Sequence, residues 1–421
     1  MNKTIWIINQ YASTPDYGYA GRHYYLGREL AKRGFRVYLI ASAGHHLFRE
    51  KPPLDAPFRL EEQVEGFSVA WVRMPEYSQA HSKGRILGWF LFPWRIQRLA
   101  RVIPEAPDVV VCSSPSLLSF LGAKRLARKF AVKLIFEVRD IWPLTLTDIG
   151  GYSKRHPFIR LLQRVEDKAY RDSDRVISNL KNAVEHMVSR GMQSEKFAWI
   201  PNGFSLNEVN MGVPLNRGSL DQLPKGKFLV GYTGTLGLAN ALDTLIKAAG
   251  NLKEYKDIAF VIVGRGKEKL PLQELAAEKG GGNVYFVDPI PKVEIPAMLA
   301  KFDACYIGWL NDELYRFGIG ANKIPEYLYS GKPVIHAYSG VSDPINEADA
   351  GIQVPAEDDA MLADAVLSLY RMSPEQRAVM GTNGRKAALE HYEYGTLAEK
   401  FSQILFEDLC PPNQRTKSPE L

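Results

Sequence analysis

The feature that most constrains the fold is a repeated alternation of short apolar segments with longer amphipathic ones. The first apolar segment, Thr4–Asn9, is followed by a helical pattern from Ala20 to Arg33 that stops at Gly34, and the next stretch, 36–41, is again apolar. Short apolar strands separated by helices are typical of a parallel sheet that is covered on both faces. The sequence therefore predicts an α/β fold built on doubly wound parallel sheets.

The same alternation resumes in the second half, so we predict that the 421 residues form two Rossmann-like domains that face each other across a cleft. The N-terminal domain is expected over residues 1–202 and the C-terminal domain over residues 227–393. The Gly-, Pro- and Asn-rich stretch 203–226 is interpreted as the linker between them. A last helix over 394–409 can return to the N-terminal domain, and residues 410–421 are expected to form a tail.

Composition excludes several classes of protein. The chain is 46% hydrophobic and 24% charged, which is typical of a folded globular protein and excludes a disordered or multi-span membrane chain. The three cysteines, Cys112, Cys305 and Cys410, form no CxxC pair, so we predict neither a disulfide framework nor a structural zinc site. The opening MNKTIWIIN is interpreted as a first strand rather than a secretory signal. A cytoplasmic protein in a reducing compartment is the expectation.

The net charge of +6 is distributed unevenly along the chain. Residues 1–200 hold 31 Lys and Arg against 19 Asp and Glu, a balance of +12, whereas the remaining residues have a balance of −6. Such an asymmetry indicates that the first half meets an anionic surface, and a bias that merely keeps the protein soluble is the alternative.

One segment of the basic half, Ile86–Arg101, combines four large aromatic side chains with arginines. It is too short and too charged to span a bilayer, and Pro93 interrupts it. Aromatic side chains beside arginines suit a surface that lies at the headgroup level of a membrane. The alternative is a helix whose aromatic side chains fill the core. The charge of the first half favours membrane contact.

In an open parallel sheet, ligands bind at the carboxyl ends of the strands. In the second half, the loop GYTGTLG places Gly234 and Thr235 where backbone amides can approach an anion. Arg265 ends another predicted strand, and the glycines on both sides of it favour a ligand contact over an ordinary surface arginine. Pro291 follows a third strand in a rigid Pro-rich turn that could form a wall for a flat base.

The segment GIGANKIPEYLYSGKPVI, residues 318–335, is the most informative. Asn322 is predicted to cap a helix whose first turn contains Lys323, with Glu326 one turn later, so all three can face one ligand. A helix N-terminus with a lysine favours a diphosphate, and the glutamate could accept hydrogen bonds from sugar or ribose hydroxyls. The alternative is an intrahelical Lys–Glu pair that binds nothing.

These motifs together resemble glycosyltransferase family 4, whose members are retaining enzymes of the GT-B fold. The match rests on YRFGIGANKIPEYLYSGKPVI and on supporting stretches along nearly the whole chain: LGRELAKRGFRV, EVRDIWP, WIPNGFS, VGYTGTLG and VIVGRG. The RDIWP and ANKIPEYL forms are most similar to the branch that builds bacterial O-antigen and capsule units, which includes N-acetyl-L-fucosaminyl transferases.

The donor side departs from the family pattern. Many members have two glutamates eight positions apart; Glu326 matches the second, but the first falls on Gly318. The Arg and Lys that usually hold the donor diphosphate fall on Thr235 and Asn240. We therefore expect Arg265 and Lys323 to supply the positive charge instead.

The acceptor side is assigned by the same resemblance. The glycine-rich acceptor loop maps onto Asp16–Gly21, so Gly18, Gly21 and the adjoining Arg22 are predicted on the acceptor side. The His-Asp pair that is common in the family maps onto Arg139 and Asp140. The alternative for that pair is a structural ion pair beside a buried tryptophan.

The resemblance implies a retaining glycosyltransferase that moves a sugar, with N-acetyl-L-fucosamine as one candidate, from a UDP-linked donor to a lipid-linked saccharide. The expected catalytic residues are Arg139, Asp140 and Glu326. The donor-binding residues are expected to be Gly234, Thr235, Arg265, Pro291, Asn322, Lys323 and Glu326. No cofactor and no essential metal are predicted, and the expected partners are the nucleotide sugar, a lipid-diphosphate-linked acceptor and an anionic membrane surface, but no nucleic acid.

Three other functions are alternatives to the glycosyltransferase. A UDP-sugar 2-epimerase shares the architecture and the nucleotide-sugar site, and a non-catalytic sugar-binding subunit of a polysaccharide complex is a non-enzyme alternative. An NAD-dependent dehydrogenase is disfavoured, because no predicted strand leads into a GxGxxG with an acidic residue suitably downstream.

Overall fold

The computed structural model describes residues 3–63, 66–77, 82–148, 150–279 and 281–407. The described chain divides into two compact units. The first unit contains the residues up to Pro201 together with those from Leu397 onward, and the second contains Asn202–Thr396.

The first unit is built on a sheet that, over the described residues, has eight strands in the order β3-β4-β2-β1-β5-β6-β7-β8. The strands are β1 Thr4–Ile8, β2 Arg36–Ser42, β3 Phe58–Glu62, β4 Ser68–Val72, β5 Val109–Ser113, β6 Lys133–Val138, β7 Arg175–Ser178 and β8 Phe197–Trp199. All neighbours are parallel except β3 and β4, which are antiparallel. The strand order reverses direction between β1 and β5, and a ligand site is expected beside that point.

The helices of this unit cover the two faces of the sheet. They are α1 Arg22–Lys32, α2 Lys83–Arg95, α3 Ser119–Phe130, α4 Leu144–Asp148, α5 Pro157–Asp172 and α6 Ala183–Ser189. Every residue of β1 and of β5 is buried, which explains why these strands are continuously apolar rather than alternating.

The second unit has a sheet of six described strands, all parallel, in the order β11-β10-β9-β12-β13-β14. The strands are β9 Phe228–Thr235, β10 Ile258–Arg265, β11 Val284–Val287, β12 Ala304–Gly308, β13 Val334–Ala337 and β14 Gly351–Val354. Its helices are α7 Leu206–Asn210, α8 Arg217–Asp221, α9 Leu242–Asn251, α10 Lys269–Lys279, α11 Ile295–Lys301, α12 Lys323–Tyr329, α13 Pro344–Glu347, α14 Asp359–Arg371 and α15 Pro374–His391. Here the order reverses between β9 and β12.

The two doubly wound sheets confirm the predicted fold class, but three short strands were not predicted. The sequence of the edge strand β3, FRLEE, is mostly polar and gives no strand pattern, and in the structure the strand is only partly buried. Strands β8 and β14 are also edge strands, of three and four residues. A short edge strand has weak hydrophobic patterning, since one side of it meets no neighbouring strand.

The stretch predicted as a linker, 203–226, belongs to the second unit and is not an unstructured connection. It contains α7 and α8, whose first turns are capped by the side chains of Ser205 and Asn216. Asn216 also donates its side-chain amide to Glu294 Oε2 at 2.9 Å. The polar residues of the predicted linker therefore include the caps of two helices.

The last helix, α16 Tyr394–Phe406, begins in the second unit, and its residues from Leu397 group with the first. Phe406 stacks on Phe35 with ring centroids 5.5 Å apart, and the Lys133 ammonium donates to the Glu407 carbonyl oxygen at 3.3 Å. The predicted tail, 410–421, and Cys410 lie outside the described residues.

The segment Ile86–Arg101 contributes to both the core and the surface. It forms the end of α2 and a 3₁₀ helix, Ile96–Arg101. Its inner side chains, which are Trp89, Phe92, Ile96 and Leu99, are buried, whereas Ile86, Leu87, Phe90 and Trp94 are 45–53% exposed. The core alternative thus accounts for one face of the helix, and an exposed apolar face remains. Over the described residues, no helix has the length and apolar character needed to cross a bilayer.

Candidate functional site

In the second unit, the loops after β9 and β10 pack directly against each other. A Cβ atom at Gly264 would lie 1.9 Å from the Gly234 carbonyl oxygen, and one at Gly266 would lie 1.8 Å from the Leu236 carbonyl oxygen. The Leu236 amide donates to the Arg265 carbonyl oxygen at 2.9 Å. The glycines that flank Arg265 therefore allow this backbone contact, and the ligand contact expected for Arg265 stays a prediction.

The Arg265 side chain itself is exposed at the end of β10. Within the described part of the chain, its guanidinium makes no ion pair or hydrogen bond. Thr235 is likewise exposed at the end of the neighbouring strand β9. Both residues are thus available to a ligand at the carboxyl edge of the sheet.

Lys323 reaches the same place from α12. Its ammonium lies 3.2 Å from Asn240 Oδ1 and 5.0 Å from the centroid of the Tyr232 ring. Its Cε atom fills the space that a side chain at Gly234 would need, since a Cβ atom there would lie 2.3 Å away. Burial lowers the pKa of Lys323 to about 8, and the Glu326 carboxylate partly opposes that change. A bound anion would favour the charged form again.

Asn240 stands where the family usually has a Lys, and it contacts both Thr235, which stands where the family has an Arg, and Lys323. Its side chain donates to the Thr235 carbonyl oxygen at 3.0 Å and accepts from the Lys323 ammonium. A cation therefore stands beside the position from which the family lysine is missing, although it comes from a different element.

The rest of the ANKIPEY segment positions this lysine. The Tyr327 hydroxyl accepts from the Thr233 amide at 2.7 Å, which ties α12 to β9. Asn322 lies at the start of α12, but its backbone is already helical, with φ −69° and ψ −20°, and its side chain caps nothing. The predicted side-chain cap was wrong. The side-chain amide of the exposed Asn322 makes no capping hydrogen bond to α12.

Glu326 lies one turn after Lys323 and is partly buried. Burial raises the pKa of its carboxyl group, against the effect of the nearby Lys292 and Lys323 ammonium groups. Among the described residues, its carboxylate has no hydrogen-bond partner. Pro291 is exposed after β11, two strands away from β9, so the structure does not bring it together with Lys323.

In the first unit, a buried charged cluster lies at the ends of β1 and β6. Glu137 accepts from Arg22 Nε at 2.9 Å and from His23 Nε2 at 2.5 Å, and all three side chains are at most 3% exposed. The Asn9 amide nitrogen lies 2.8 Å from His23 Nδ1, so Nδ1 accepts and the ring proton is on Nε2.

The electrostatics of the cluster follow from its burial. Burial lowers the pKa of His23, so the ring is neutral. Burial alone would raise the pKa of Glu137, but the adjacent His23 and Arg22, with hydrogen bonds from His23 and Ser113, hold it well below its ordinary value. The cluster is therefore a buried carboxylate that is neutralised by one arginine.

Arg22 was predicted on the acceptor side, but its guanidinium is buried, binds Glu137 and donates to the Pro201 carbonyl oxygen. Gly21 occupies the N-cap position of α1. Gly18 has φ +151° and packs against the backbone of residues 47–49, where a Cβ atom would lie 3.0 Å from the Arg49 nitrogen. The loop that contains Gly18 and Gly21 is thus tightly packed, and it leads directly into α1.

Arg139 and Asp140 follow β6 directly, two and three residues after the buried Glu137. The Arg139 amide donates to Ser114 Oγ at 2.8 Å, which fixes the backbone there. Over the described residues, Arg139 forms no ion pair with Asp140, and its buried Nε atom has no partner. The structural ion pair that was the alternative for Arg139 and Asp140 is thus absent from the described residues.

The Asp140 carboxylate is accessible to solvent at the surface of this unit. Desolvation by the surrounding protein raises its pKa, and the Arg139 guanidinium partly opposes that rise. A carboxylate with a raised pKa is a better proton acceptor than an ordinary aspartate.

Three residues of the first site were missed from the sequence: Asn9, His23 and Glu137. Glu137 did give a signal, because it is an acidic residue inside the apolar strand LIFEV, and buried acids are rare unless they are paired. Nothing in the sequence showed which cation would pair with it. Within the described residues, no cluster of His, Cys, Asp or Glu that could hold a metal ion is found.

Comparison with known proteins gives two family matches that together span most of the chain. Residues 18–203 match the glycosyl transferase 4-like domain, and residues 221–387 match the glycosyl transferases group 1 domain.

Similar proteins are found among bacterial enzymes. The chain is 25% identical over 292 residues to WcaI of Escherichia coli K12, a glycosyl transferase assigned to colanic acid biosynthesis, with 66% of this chain and 69% of the relative covered. It is 23% identical to WbjE of Pseudomonas aeruginosa, assigned as a glycosyltransferase, over 74% of this chain and 77% of the relative.

Among solved structures, the fold is similar to that of an E. coli trehalose-6-phosphate enzyme bound with UDP-2-fluoro glucose. The TM-score is 0.72 at 13% identity, with 96% of this chain and 99% of that chain covered. At this identity the likeness concerns the fold alone.

Proposed function

Because this chain belongs to glycosyltransferase family 4 and has the GT-B fold, we propose that it moves a sugar from a UDP-linked donor to a lipid-linked saccharide with retention of configuration. The chain is a glycosyltransferase related to bacterial enzymes of polysaccharide biosynthesis. N-acetyl-L-fucosamine is a candidate for the transferred sugar, on the motif resemblance described above.

The observation that carries the proposal is the position of the Lys323 ammonium, 3.2 Å from Asn240 Oδ1 and directly over Gly234. The family uses an Arg and a Lys near these positions to hold the donor diphosphate. Lys323 restores a cation there, and the unpaired Arg265 adds a second at the end of the neighbouring strand. Fixed positive groups of this kind stabilise the charge that develops on a departing diphosphate.

The reaction breaks the bond between the anomeric carbon and the diphosphate oxygen and forms a bond from the acceptor oxygen to the same carbon. Lys323, Arg265 and the Gly234–Thr235 backbone stabilise the leaving diphosphate. The acceptor hydroxyl attacks from the same face, and its proton passes to Asp140 or to the leaving phosphate oxygen. Glu326 accepts hydrogen bonds from donor hydroxyls, and Arg139 orients the acceptor.

The proposed acceptor is attached to a lipid diphosphate at an anionic membrane, which would place the enzyme on the inner face of the cytoplasmic membrane. Two features of the first unit support this: its positive charge and the exposed apolar face of α2, formed by Ile86, Leu87, Phe90 and Trp94. The Arg98 guanidinium lies 4.3 Å from the centroid of the Trp94 ring, so a cation borders the apolar face.

A panel of nucleotide sugars, read out by thermal shift and then by turnover with lipid-linked acceptors, tests the proposal. We expect stabilisation by UDP-sugars and a product whose anomeric configuration, read by NMR, is that of the donor. An epimerised sugar nucleotide formed without acceptor would replace the transferase by a 2-epimerase. Binding without any turnover would instead favour a sugar-binding subunit.

The diphosphate role of Lys323 is tested by Lys323→Ala, with Lys301→Ala on α11 as the matched control. Loss of one charged contact in the transition state costs about 3 kcal/mol, so we expect kcat/KM to fall by roughly a hundredfold to a thousandfold. The exposed Lys301 makes no ion pair within the described residues, and its variant should keep full activity. Equal activities of the two variants would contradict the role of Lys323.

A further inference from the structure

A charged cavity lies in the first unit, apart from the residues of the site described above. It has a volume of about 440 Å³ and lies between α4, α5 and α6, with Pro143, Leu144, Lys154, Arg160 and Arg164 among its lining residues. Its size is within the range of small-molecule sites, about 300–1,000 Å³. None of the residues proposed for catalysis or donor binding lines it.

Among the described residues that line the cavity, positive side chains outnumber negative ones. Its lining carboxylate, Asp167, already accepts from Nε and Nη2 of Arg190, at 2.8 and 2.6 Å. Arg160 and Arg164 are exposed on the same face of α5, four residues apart, and over the described residues neither guanidinium has an ion pair or hydrogen bond. Two arginines in this arrangement can bind the oxygens of a phosphate group together.

The position of the cavity indicates where such a phosphate would come from. Phe158, which directly precedes the lining residues Ile159 and Arg160, packs against Trp89 and Phe90 of α2, with ring centroids 5.8 and 6.4 Å apart. Trp89 also contacts Trp142, which directly precedes the lining residue Pro143. The cavity therefore adjoins the exposed apolar face of α2, as an anion site should if its ligand carries a lipid chain.

We propose that this cavity binds the diphosphate of the lipid-linked acceptor while the apolar face of α2 enters the membrane beside it. A phospholipid headgroup also presents a phosphate at a lipid surface. It is therefore the other possible source of the anion, and the test below distinguishes the two. The inference rests on the lipid-linked acceptor of the proposed function, but it concerns binding and not turnover.

The test compares the full-length protein with Arg160→Gln/Arg164→Gln and with a matched control, Arg125→Gln/Lys129→Gln. The control removes the same charge from exposed positions of α3 on the same unit. Sedimentation with three kinds of phosphatidylcholine vesicle measures binding: plain vesicles, vesicles that carry polyprenyl diphosphate, and vesicles that carry phosphatidylglycerol at equal charge. Thermal unfolding shows whether each variant is folded.

We expect the wild type and the control to bind the diphosphate vesicles more tightly than the charge-matched phosphatidylglycerol vesicles. The Arg160/Arg164 variant should lose roughly tenfold to a hundredfold in affinity for the diphosphate vesicles and keep its weaker binding to phosphatidylglycerol. Diphosphate binding by this variant that equals the control would overturn the proposal. Equal loss on both anionic vesicles would overturn the diphosphate assignment and identify a phospholipid headgroup instead.

These outcomes are distinguishable from a failure of the proposed function. A protein that binds polyprenyl diphosphate through Arg160 and Arg164 but transfers no sugar would keep this inference and refute the transferase. A protein that transfers sugar, but whose vesicle binding is unchanged by Arg160→Gln/Arg164→Gln, would keep the proposed function and refute this inference.

Discussion

The two units hold the charged groups at the carboxyl ends of their strands in different ways. In the first unit, Arg22 and His23 are buried and both bind the buried Glu137, and the exposed Asp140 follows shortly after Glu137 in the chain. In the second unit, Lys323 has a neutral amide as its polar partner, and Arg265 has no partner among the described residues. In the first unit the charged groups bind other protein groups, whereas in the second unit positive charge is left available to an anionic ligand.

The largest effect is expected from breaking the buried cluster with Glu137→Gln. The substitution leaves the Arg22 guanidinium buried without a carboxylate, and removal of one partner from a buried pair costs about 3–5 kcal/mol. Thermal unfolding followed by calorimetry should show a marked fall in the midpoint of the first unit.

The control for that variant is Glu105→Gln, which breaks the more exposed pair with Arg36, whose side chains are 30% and 53% exposed. We expect it to cost less than about 1 kcal/mol. If both variants unfold at the same temperature, the buried cluster has no special structural role.

A smaller effect is expected in the second unit from Gly234→Ala. Gly234 has φ +146°, and a Cβ atom there would lie 2.3 Å from Lys323 Cε, so the lysine must move away. We expect UDP to bind roughly tenfold to a hundredfold more weakly in calorimetric titration, with the thermal midpoint only slightly lower. Gly237→Ala is the control, because its Cβ atom would meet nothing closer than 3.9 Å. Equal UDP affinities would show that the approach of Lys323 to Gly234 is unimportant.

The pH dependence of UDP binding tests the state of Lys323 directly. Only the ammonium form attracts a diphosphate, and the pKa of Lys323 in the free protein is lowered to about 8, so affinity should fall as the pH rises through that value. Between about pH 8 and pH 9 the affinity should fall by about fivefold, because the charged fraction falls from about one half to about one tenth. Lys323→Arg should flatten the profile over this range, because arginine stays charged. A flat wild-type profile would refute the assignment.

The smallest effect is expected from removal of divalent metal ions. If side-chain cations stabilise the leaving diphosphate, as the positions of Lys323 and Arg265 indicate, a chelator should leave the rate of transfer nearly unchanged. Rates measured with EDTA and with added Mg²⁺ or Mn²⁺ provide the comparison. A strong dependence on either ion would assign the charge stabilisation to the metal.

Much of the donor side could be predicted from the sequence, because its residues are local. Lys323 and Glu326 lie in one helix turn, and the glycine turn follows a strand that is plainly apolar. The sequence could not give the function of the glycines at 264 and 266, since their packing against the preceding loop depends on the parallel pairing of β9 with β10.

The acceptor side was predicted only in part. Its positions were identified by resemblance, but Arg22 proved to be buried against Glu137, 115 residues away in the chain. A pairing over that distance is decided by which strands are neighbours, and an isolated charged residue in an apolar strand does not reveal its partner.

The sequence by itself determined the two doubly wound sheets, because strands that are buried on both faces must be apolar along their whole length and the helices between them must be amphipathic. Only the tertiary structure decided that Lys323 lies beside Asn240, that Arg22 is buried against Glu137, and that one apolar face of α2 remains exposed. Each of these depends on contacts between elements far apart in sequence, and local patterns of hydrophobicity contain no information about such contacts.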